Sequence, residues 1–585
     1  MGGACSRKRE QGDPENEEVE IHAGPVGKLS RSISLRWPLK LTTMQKSESF
    51  TKHHSSLSPP SLLELSVQAF CQNIGRYRNL SAMPRDLTQQ ILNELVRHQL
   101  LAPAILHAFL DCALQDVMLE EYPGVDDTWL DVIGTQGSSL LALDISGSAV
   151  TDAGLKALEM CNNLQTLILS SCDHISDAGL VSLTGFGNLT SLSFRSSNLI
   201  TADGMRYFAH LINLKDLDLE CCPRIHGGLI HLKGLTSLEK LNVGWCNSVK
   251  NSDVKHLSGL VNLEELQISR SKVNDTGIAA LKGLKKLRSL SMEGCPVTSQ
   301  CMETIGELTM LSVLNMKSCC LPDSGCKKLE GLTNLRVLNM GYNNVTDASM
   351  VFLKGLTNLE SLNLDSCKVG DEGVEHLSGL VNLHTLDLSD TDIGNNGLRF
   401  LTGLEKLESL NLSFTTGVMD SGLRMIATIT SLTSLNLDSR QITDAGLASL
   451  TSLTNLKTLD LFGARITDYG TTCLRYFKKL QTLELCGGGI TDVGVKNIKD
   501  LTSLTSLNLS QNSRITDNAL HHLSGMVGLV SLNVANSKVT NAGLQHLRPL
   551  TNLTSLALQA CKVTLPAVER LRASGLPNLT IIRLH

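Results

Sequence analysis

At 585 residues, the chain is too long for one compact core, and 42% hydrophobic content with only 3% aromatics points to an interior filled by aliphatic side chains. A net charge of -5 argues against a general nucleic-acid binder, which would carry a basic surface, so no nucleic-acid partner is expected. Seventeen cysteines occur without a Cys-x-x-Cys pair of zinc-like spacing and without a secretory leader, so free thiols in a reducing compartment are expected, with no metal and no cofactor.

The chain opens Met1-Gly2-Gly3-Ala4-Cys5-Ser6-Arg7-Lys8-Arg9. Gly2 with Ser6 fits the pattern for N-myristoylation. One myristoyl chain holds a membrane only marginally, and Cys5 as a palmitoylation site beside three basic residues would supply the second signal. The sequence therefore predicts a cytoplasmic protein attached peripherally to the plasma membrane through its acylated N-terminus. An acidic stretch at 10–20 and a basic, serine-rich stretch at 28–52 follow, and residues 1–60 read as a disordered lipidation and basic tail.

Residues 61–113 are apolar and form a small helical segment. Helices are predicted over 61–74, over 86–100, where Leu87, Ile91 and Leu95 share a face, and from Pro103 to Cys112. The stretch Met83-Pro84-Arg85-Asp86-Leu87-Thr88-Gln89-Gln90-Ile91-Leu92-Asn93-Glu94-Leu95 resembles the opening of an F-box, with Met83 in place of the usual leucine and without the later tryptophan-bearing part. That resemblance implies docking on a Skp-type adaptor and a cullin through Pro84, Leu87, Ile91 and Leu95. The residues alone equally allow a helical cap on the apolar end of a repeat array.

From 114 to the C-terminus one frame recurs. Leu-x-x-Leu-x-Leu, or a close variant, starts at Leu114, Leu140, Leu164 and onward to Leu553 and Leu579, 24 to 26 residues apart. This gives 19 full repeats plus a terminal strand. The period-two leucines predict a strand, and segments such as Ala445–Leu453, with Leu447, Leu450 and Leu453 at helical spacing, predict a helix after each one. In the Val/Ile-Thr-Asp phrases at 150–152 and 442–444 the aspartate is expected to cap that helix. A single repeat cannot bury both of its faces, but a stack of repeats can.

Cysteine stands in one slot after the strand at Cys172, Cys222, Cys246, Cys295, Cys319, Cys367 and Cys561, with Asn343 and Asn512 in the same place. A buried structural ladder is expected there rather than redox or metal chemistry. Together with the Ile-Thr-Asp-x-Gly-Leu phrase, this pattern resembles the cysteine-containing leucine-rich repeats of F-box proteins. The resemblance implies an α/β solenoid, a horseshoe with a parallel concave sheet and convex helices, acting as a binding protein without catalysis of its own. No phosphate-loop or kinase motif is present.

The position between the two inner leucines is Asn or Asp in many repeats, from Asp144 to Asn533, and is expected to face solvent as a polar ladder on the concave side. Bulky residues appear in the next two slots: Arg195, Trp245, Arg270, Lys317, Tyr342, Phe414 and Phe462. Tryptophan, tyrosine and arginine are the usual anchors of interfaces. A protein partner is therefore expected across the middle of the arc, on Arg195, Trp245, Arg270, Tyr342, Phe414 and Phe462. Three functions follow: a substrate-recognition subunit of a cullin-type ubiquitin ligase, a membrane-tethered scaffold, or an enzyme regulator such as a GTPase-activating repeat protein, for which no arginine on a repeat loop stands out in the sequence.

Overall fold

The structure, a computed structural model, describes residues 61–584. Three helices open it. α1 (Leu62–Gln72) starts at a capping box, in which the Ser61 hydroxyl accepts from the Glu64 N–H and the Glu64 carboxylate accepts from the Ser61 N–H. α2 (Arg85–Arg97) follows Pro84, which cannot itself extend a helix backward. α3 (Pro103–Leu106) has proline at its first position and runs into a 3-10 turn ending at Phe109.

These helices bury Ile91, Leu92, Leu95, Leu106 and Phe109 against the first strand, Asp116–Met118. A free strand edge exposes unpaired backbone groups, and here Gln89 of α2 satisfies them. Its side-chain oxygen accepts from the N–H groups of Gln115 and Asp116 at 3.0 and 3.2 Å, and its amide donates to the Asp116 carbonyl at 2.6 Å. Gln136 likewise accepts from the Leu114 N–H and donates to the Phe109 carbonyl. The helical segment is thus bonded onto the apolar end of the repeat stack.

Twenty three-residue strands follow, from Asp116–Met118 to Ile581–Arg583, forming one sheet. Each runs parallel to the next repeat's strand and in register with it: Leu338 sits opposite Leu314 on one side and Leu362 on the other. The leucines flanking each strand's polar slot point into a continuous core and are essentially inaccessible. The return segments are shorter than the expected helices. Asp444–Ser449 is α-helical, whereas Gly179–Gly185 and Gly204–His210 are 3-10 turns. A repeat of about 24 residues leaves room for only one or two turns before the next strand must begin, and short 3-10 pieces fit such spans.

The Val/Ile-Thr-Asp-x-Gly phrase does more than end a loop, and the expected role of its aspartate is corrected. Threonine is the cap: the Thr443 hydroxyl accepts from the Ala445 N–H, and Asp444 is the first helical residue. The aspartate instead reaches the following repeat. Asp444 accepts from the N–H and the hydroxyl of Thr467 at 2.8 and 2.5 Å, Asp468 does the same for Thr491, and Asp492 for Thr516. Where glycine replaces the threonine, as at Gly370 and Gly394, the backbone N–H still donates to Asp347 and Asp371. The glycine three residues after the threonine is required by the same bridge. A Cβ on Gly446 or Gly470 would lie within 3.0 Å of the preceding repeat's carboxylate, on Asp420 or Asp444.

The cysteine slot is a structural ladder. Each of the seven thiols donates to a strand carbonyl of the preceding repeat at 3.1 to 3.3 Å, from Cys172 to Ile145 through Cys561 to Val534. Asn343 and Asn512 donate to the equivalent carbonyls of Met316 and Leu485 at 2.8 Å. Burial pushes the Cys222 and Cys367 thiols up to about 12, far from the reactive thiolate.

Replacing Gly446 by alanine should displace the Asp420 carboxylate and cost about 1–3 kcal/mol, with faster amide exchange confined to the neighbouring repeats. Gly403, which has open space where a Cβ would go, should tolerate alanine with no loss. Equal effects at both sites would refute the bridge as the reason for the glycine.

Candidate binding surface on the inner sheet

The polar slot of the strand does not face open solvent, which corrects the sequence expectation. Asn339 is 2% exposed, and its side-chain oxygen accepts from the N–H of Gly341, two residues on, at 3.1 Å. The same bond forms in repeat after repeat: Asn242 with Gly244, Asn315 with Lys317, Asn411 with Ser413, Asp460 with Phe462. Asn and Asp are the side chains that make this local turn. Contacts between neighbouring slots are fewer, as in Asn363 donating to Asp387.

The turn sets the residue after that donor, the third beyond the polar slot, into the left-handed backbone region. Trp245, Arg270, Tyr342 and Phe414 occupy it with φ of 57 to 59°, and their N–H groups donate to carbonyls of the next repeat, on Ser269, Glu293, Asp365 and Asp438. Glycine fills the same slot at Gly294, Gly463 and Gly487. A bulky L-residue there costs about 1–2 kcal/mol relative to a right-handed conformation. The cost does not serve the core, since Trp245, Tyr342 and Phe414 are 51%, 51% and 57% exposed. They stand in one row along the rim where the inner strands end.

The structure brings some of the expected site residues together and keeps others apart. The Arg270 guanidinium lies 5.2 Å from the Trp245 ring centre and pairs with Glu293 at 3.4 Å. Lys317 sits 4.8 Å from the Tyr342 ring centre. Arg195 pairs with Glu220 at 3.3 Å, one residue before the left-handed slot. Phe462 occupies that earlier position too and is half-buried. Tyr342 lies four repeats beyond Trp245 and Phe414 three beyond Tyr342, so at ~4.8 Å per strand the row spans roughly 34 Å.

The carboxylates in these slots were not singled out as site residues by sequence reasoning. In the first half of the arc three are paired, Glu220 with Arg195, Glu265 with Lys240 and Glu293 with Arg270. Asp216 and Asp218 make no ion pair among the described residues and are raised to about 6 by burial, against the pull of Lys240 and Arg195. Further along, Asp438 just past the strand Ser434–Asn436, and Asp460 and Glu484 at the ends of the next two strands, make no ion pair among the described residues. Burial raises Asp438 and Asp460 to about 6 and Glu484 to about 7, and Asp460 adds repulsion to both neighbours. One oxygen each of Asp438 and Asp460 has no hydrogen-bond partner. The readable signal was an acidic residue in the polar slot of two adjacent repeats, at Asp460 and Glu484; Asp438 stands two residues past that slot, which Asn436 fills.

The F-box-like residues divide. Ile91 and Leu95 are fully buried in the cap, Leu87 is half-buried, and Pro84 is exposed. Gly2 and Cys5 lie outside the described residues. Among the described residues no helix is long and apolar enough to cross a membrane, and no group of three or more His, Cys, Asp or Glu side chains could hold a metal ion.

A family model described as a leucine-rich repeat region matches residues 322–585, and a second leucine-rich-repeat model matches 138–158 and 161–183. The solenoid is built of leucine-rich repeats. Solved leucine-rich-repeat structures similar to it include an internalin from Listeria monocytogenes, 25% identical over 57% of this chain and 89% of that one, with a TM-score of 0.44. A Leptospira interrogans leucine-rich-repeat protein is 21% identical over 75% of this chain and 94% of its own, at a TM-score of 0.39. The mouse RP105/MD-1 complex matches at 18% identity over 80% and 83%, at 0.44. No curated protein matches the chain.

Replacing Trp245, Tyr342 and Phe414 one at a time by glycine should leave stability within about 1 kcal/mol of the parent solenoid, because relief of the left-handed backbone offsets the entropy of glycine. A loss of several kcal/mol in urea unfolding would show that the rings are structural.

The raised carboxylates set a pH dependence. Their folded values lie above those of the unfolded chain, so the stability they allow is fully present below about pH 4 and is lost as pH rises through 6 to 7. The variant Asp438→Asn/Asp460→Asn/Glu484→Gln should melt higher than the parent at pH 7.5 and together with it at pH 4. A pH-independent difference would contradict this assignment.

Proposed function

We propose that this leucine-rich-repeat solenoid is a non-catalytic recognition protein that holds a protein partner across the middle of its inner rim, on Arg195, Trp245, Arg270, Tyr342, Phe414 and Phe462. The observation that carries the reading is the row of exposed aromatic side chains in left-handed backbone positions, where glycine would be easier and the core gains nothing. Exposed aromatics flanked by arginine are what interface centres use. The finer role is that of a substrate receptor in a cullin ubiquitin ligase. Supporting it are the F-box-like stretch from Met83 to Leu95, whose Pro84 is exposed and Leu87 half-exposed at the start of α2, and the cysteine-type repeats behind it. A membrane-tethered scaffold without a ligase role is the second reading, favoured by Gly2, Cys5 and the basic triplet at 7–9.

Affinity capture from cell extract compares the parent chain with Trp245→Gly/Tyr342→Gly/Phe414→Gly. Partners should be lost from the variant, and an unchanged set of captured proteins removes the binding reading. A purified Skp-type adaptor decides between the roles. Binding that is weakened at least tenfold by Pro84→Ala/Leu87→Ala supports the ligase receptor. No binding to the parent chain rejects it, and release of the Gly2→Ala variant from membranes would then support the scaffold.

A further inference from the structure

Cations stand among the inner-face carboxylates in the first half of the arc: even Asp216 and Asp218, which burial raises to about 6 and which make no ion pair among the described residues, are lowered in part by Lys240 and Arg195. From Arg195 to Glu293 every ion-paired carboxylate has its cation in the same or an adjacent repeat, as described above. From Asp365 to Glu484 six carboxylates lie at or just after the inner strands: Asp387, Asp460 and Glu484 in the polar slot, Asp365 and Asp438 two residues beyond it, and Asp390 three residues beyond it. None of them takes part in any ion pair among the described residues.

Two observations independent of the charge count single out the far end of this stretch. Asp438 and Asp460 are 6% and 2% exposed, yet each keeps one carboxylate oxygen without a hydrogen-bond partner. Buried carboxylates are ordinarily paired or fully hydrogen-bonded, because desolvating an uncompensated charge is expensive. The rim beside them is also open. The left-handed slots of the two repeats after Asp438 are Gly463 and Gly487, which have no side chain, and a Cβ on Gly463 would stand 3.5 Å from the Asp438 carboxylate. Phe462 directly precedes Gly463, and Phe414 stands in the rim row two repeats before it. Neither ring is stacked on a cation or another ring. Trp245 and Tyr342, by contrast, each already carry an internal cation.

We propose that the inner face from Tyr342 to Glu484 receives a basic, extended segment of a protein partner, which passes Phe414 and places an arginine or lysine side chain in the Gly463–Gly487 gap, beside the Phe462 ring and the carboxylates of Asp438, Asp460 and Glu484. This deepens the reading of the inner rim as a protein-binding surface and rests on it. An incoming cation supplies the charge that the chain does not provide for itself. Aromatic faces and carboxylates together recognise it through ring attraction and charge-assisted hydrogen bonds. A guanidinium suits the site better than an ammonium because it can stack on a ring and bond a carboxylate in the same pose. An extended backbone fits because the slots recur at strand spacing, so that every second residue of a strand-like segment can address a slot one or two repeats away.

The test uses the full chain and labelled twelve-residue peptides of alternating serine with arginine, lysine or glutamate, read by fluorescence anisotropy at low and at physiological salt. The arginine peptide should bind at least tenfold more tightly than the glutamate peptide, with lysine between them. Asp438→Asn/Asp460→Asn/Glu484→Gln should weaken arginine-peptide binding at least tenfold. The substitution is compatible with the fold because asparagine already fills the Asp460 slot in the neighbouring repeat, at Asn436, and circular dichroism checks it. A control removing three exposed convex charges, Glu372→Gln/Glu375→Gln/Glu405→Gln, should leave binding unchanged. Equal losses in both triple variants would mean attraction to overall charge only and would overturn the site, as would binding insensitive to peptide charge. Applying the carboxylate variant to the affinity capture separates the two claims. If partners survive it but are lost from the aromatic-to-glycine variant, the rim binds protein and the basic-segment assignment falls.

Discussion

One short hydrogen bond organises the inner surface: the Asn or Asp oxygen between the two inner leucines accepting the N–H two residues further on. It ends each strand after three residues and places the third residue beyond the strand in the left-handed region. There its N–H can reach the following repeat. The backbone of the rim is therefore the same in most repeats, whatever side chain it carries. A fixed backbone with a free choice of side chain is the condition for displaying a binding surface without disturbing the core. The solenoid accepts a tryptophan, an arginine, a tyrosine or a glycine in that place because the bonds holding the turn are made by the polar slot and the main chain.

The repeat frame, the number of strands and the cysteine ladder were legible in the sequence because each depends on a period, and a period is visible without coordinates. The position of every strand follows from the leucines, and the thiols at Cys172 through Cys561 take the structural role their spacing suggested. What was misread depends on which repeat a side chain reaches. Asp444 looked like a helix cap because threonine and aspartate are adjacent and both can cap. Only the stacking distance between repeats shows that the carboxylate spans to Thr467 while Thr443 caps. Asn339 looked exposed because alternation along a strand puts it opposite the core, yet its side chain folds back onto its own backbone. The carboxylates Asp438, Asp460 and Glu484 sit 22 and 24 residues apart, and nothing local in the sequence marks them as neighbours lacking a counter-charge.

The N-terminal segment shows how one stretch can satisfy two readings. The apolar positions of α2 that a resemblance to an F-box would assign to an adaptor, Ile91 and Leu95, are fully buried, while Gln89, which carries no weight in that resemblance, bonds the exposed edge of the first strand. A repeat array must close its ends, and these residues do so whether or not Pro84 and Leu87 also meet another protein. Burial of a motif's hydrophobic positions is thus informative about which of its residues remain free to act.

The thiol ladder has a consequence for how local opening of the arc can be observed. Six of the ladder cysteines, from Cys172 to Cys367, are buried with the sulfur pointing at a carbonyl of the preceding turn of the superhelix, so an alkylating reagent reaches them only when those two turns part, whereas Cys561 is partly open to solvent. Cys320 is exposed and would be labelled at once, giving an internal reference for reagent delivery. Six of the seven ladder sulfurs fall between 172 and 367, and the seventh stands alone at 561. The native chain thereby carries its own set of chemical clocks, dense over its first half and sparse over the acidic stretch.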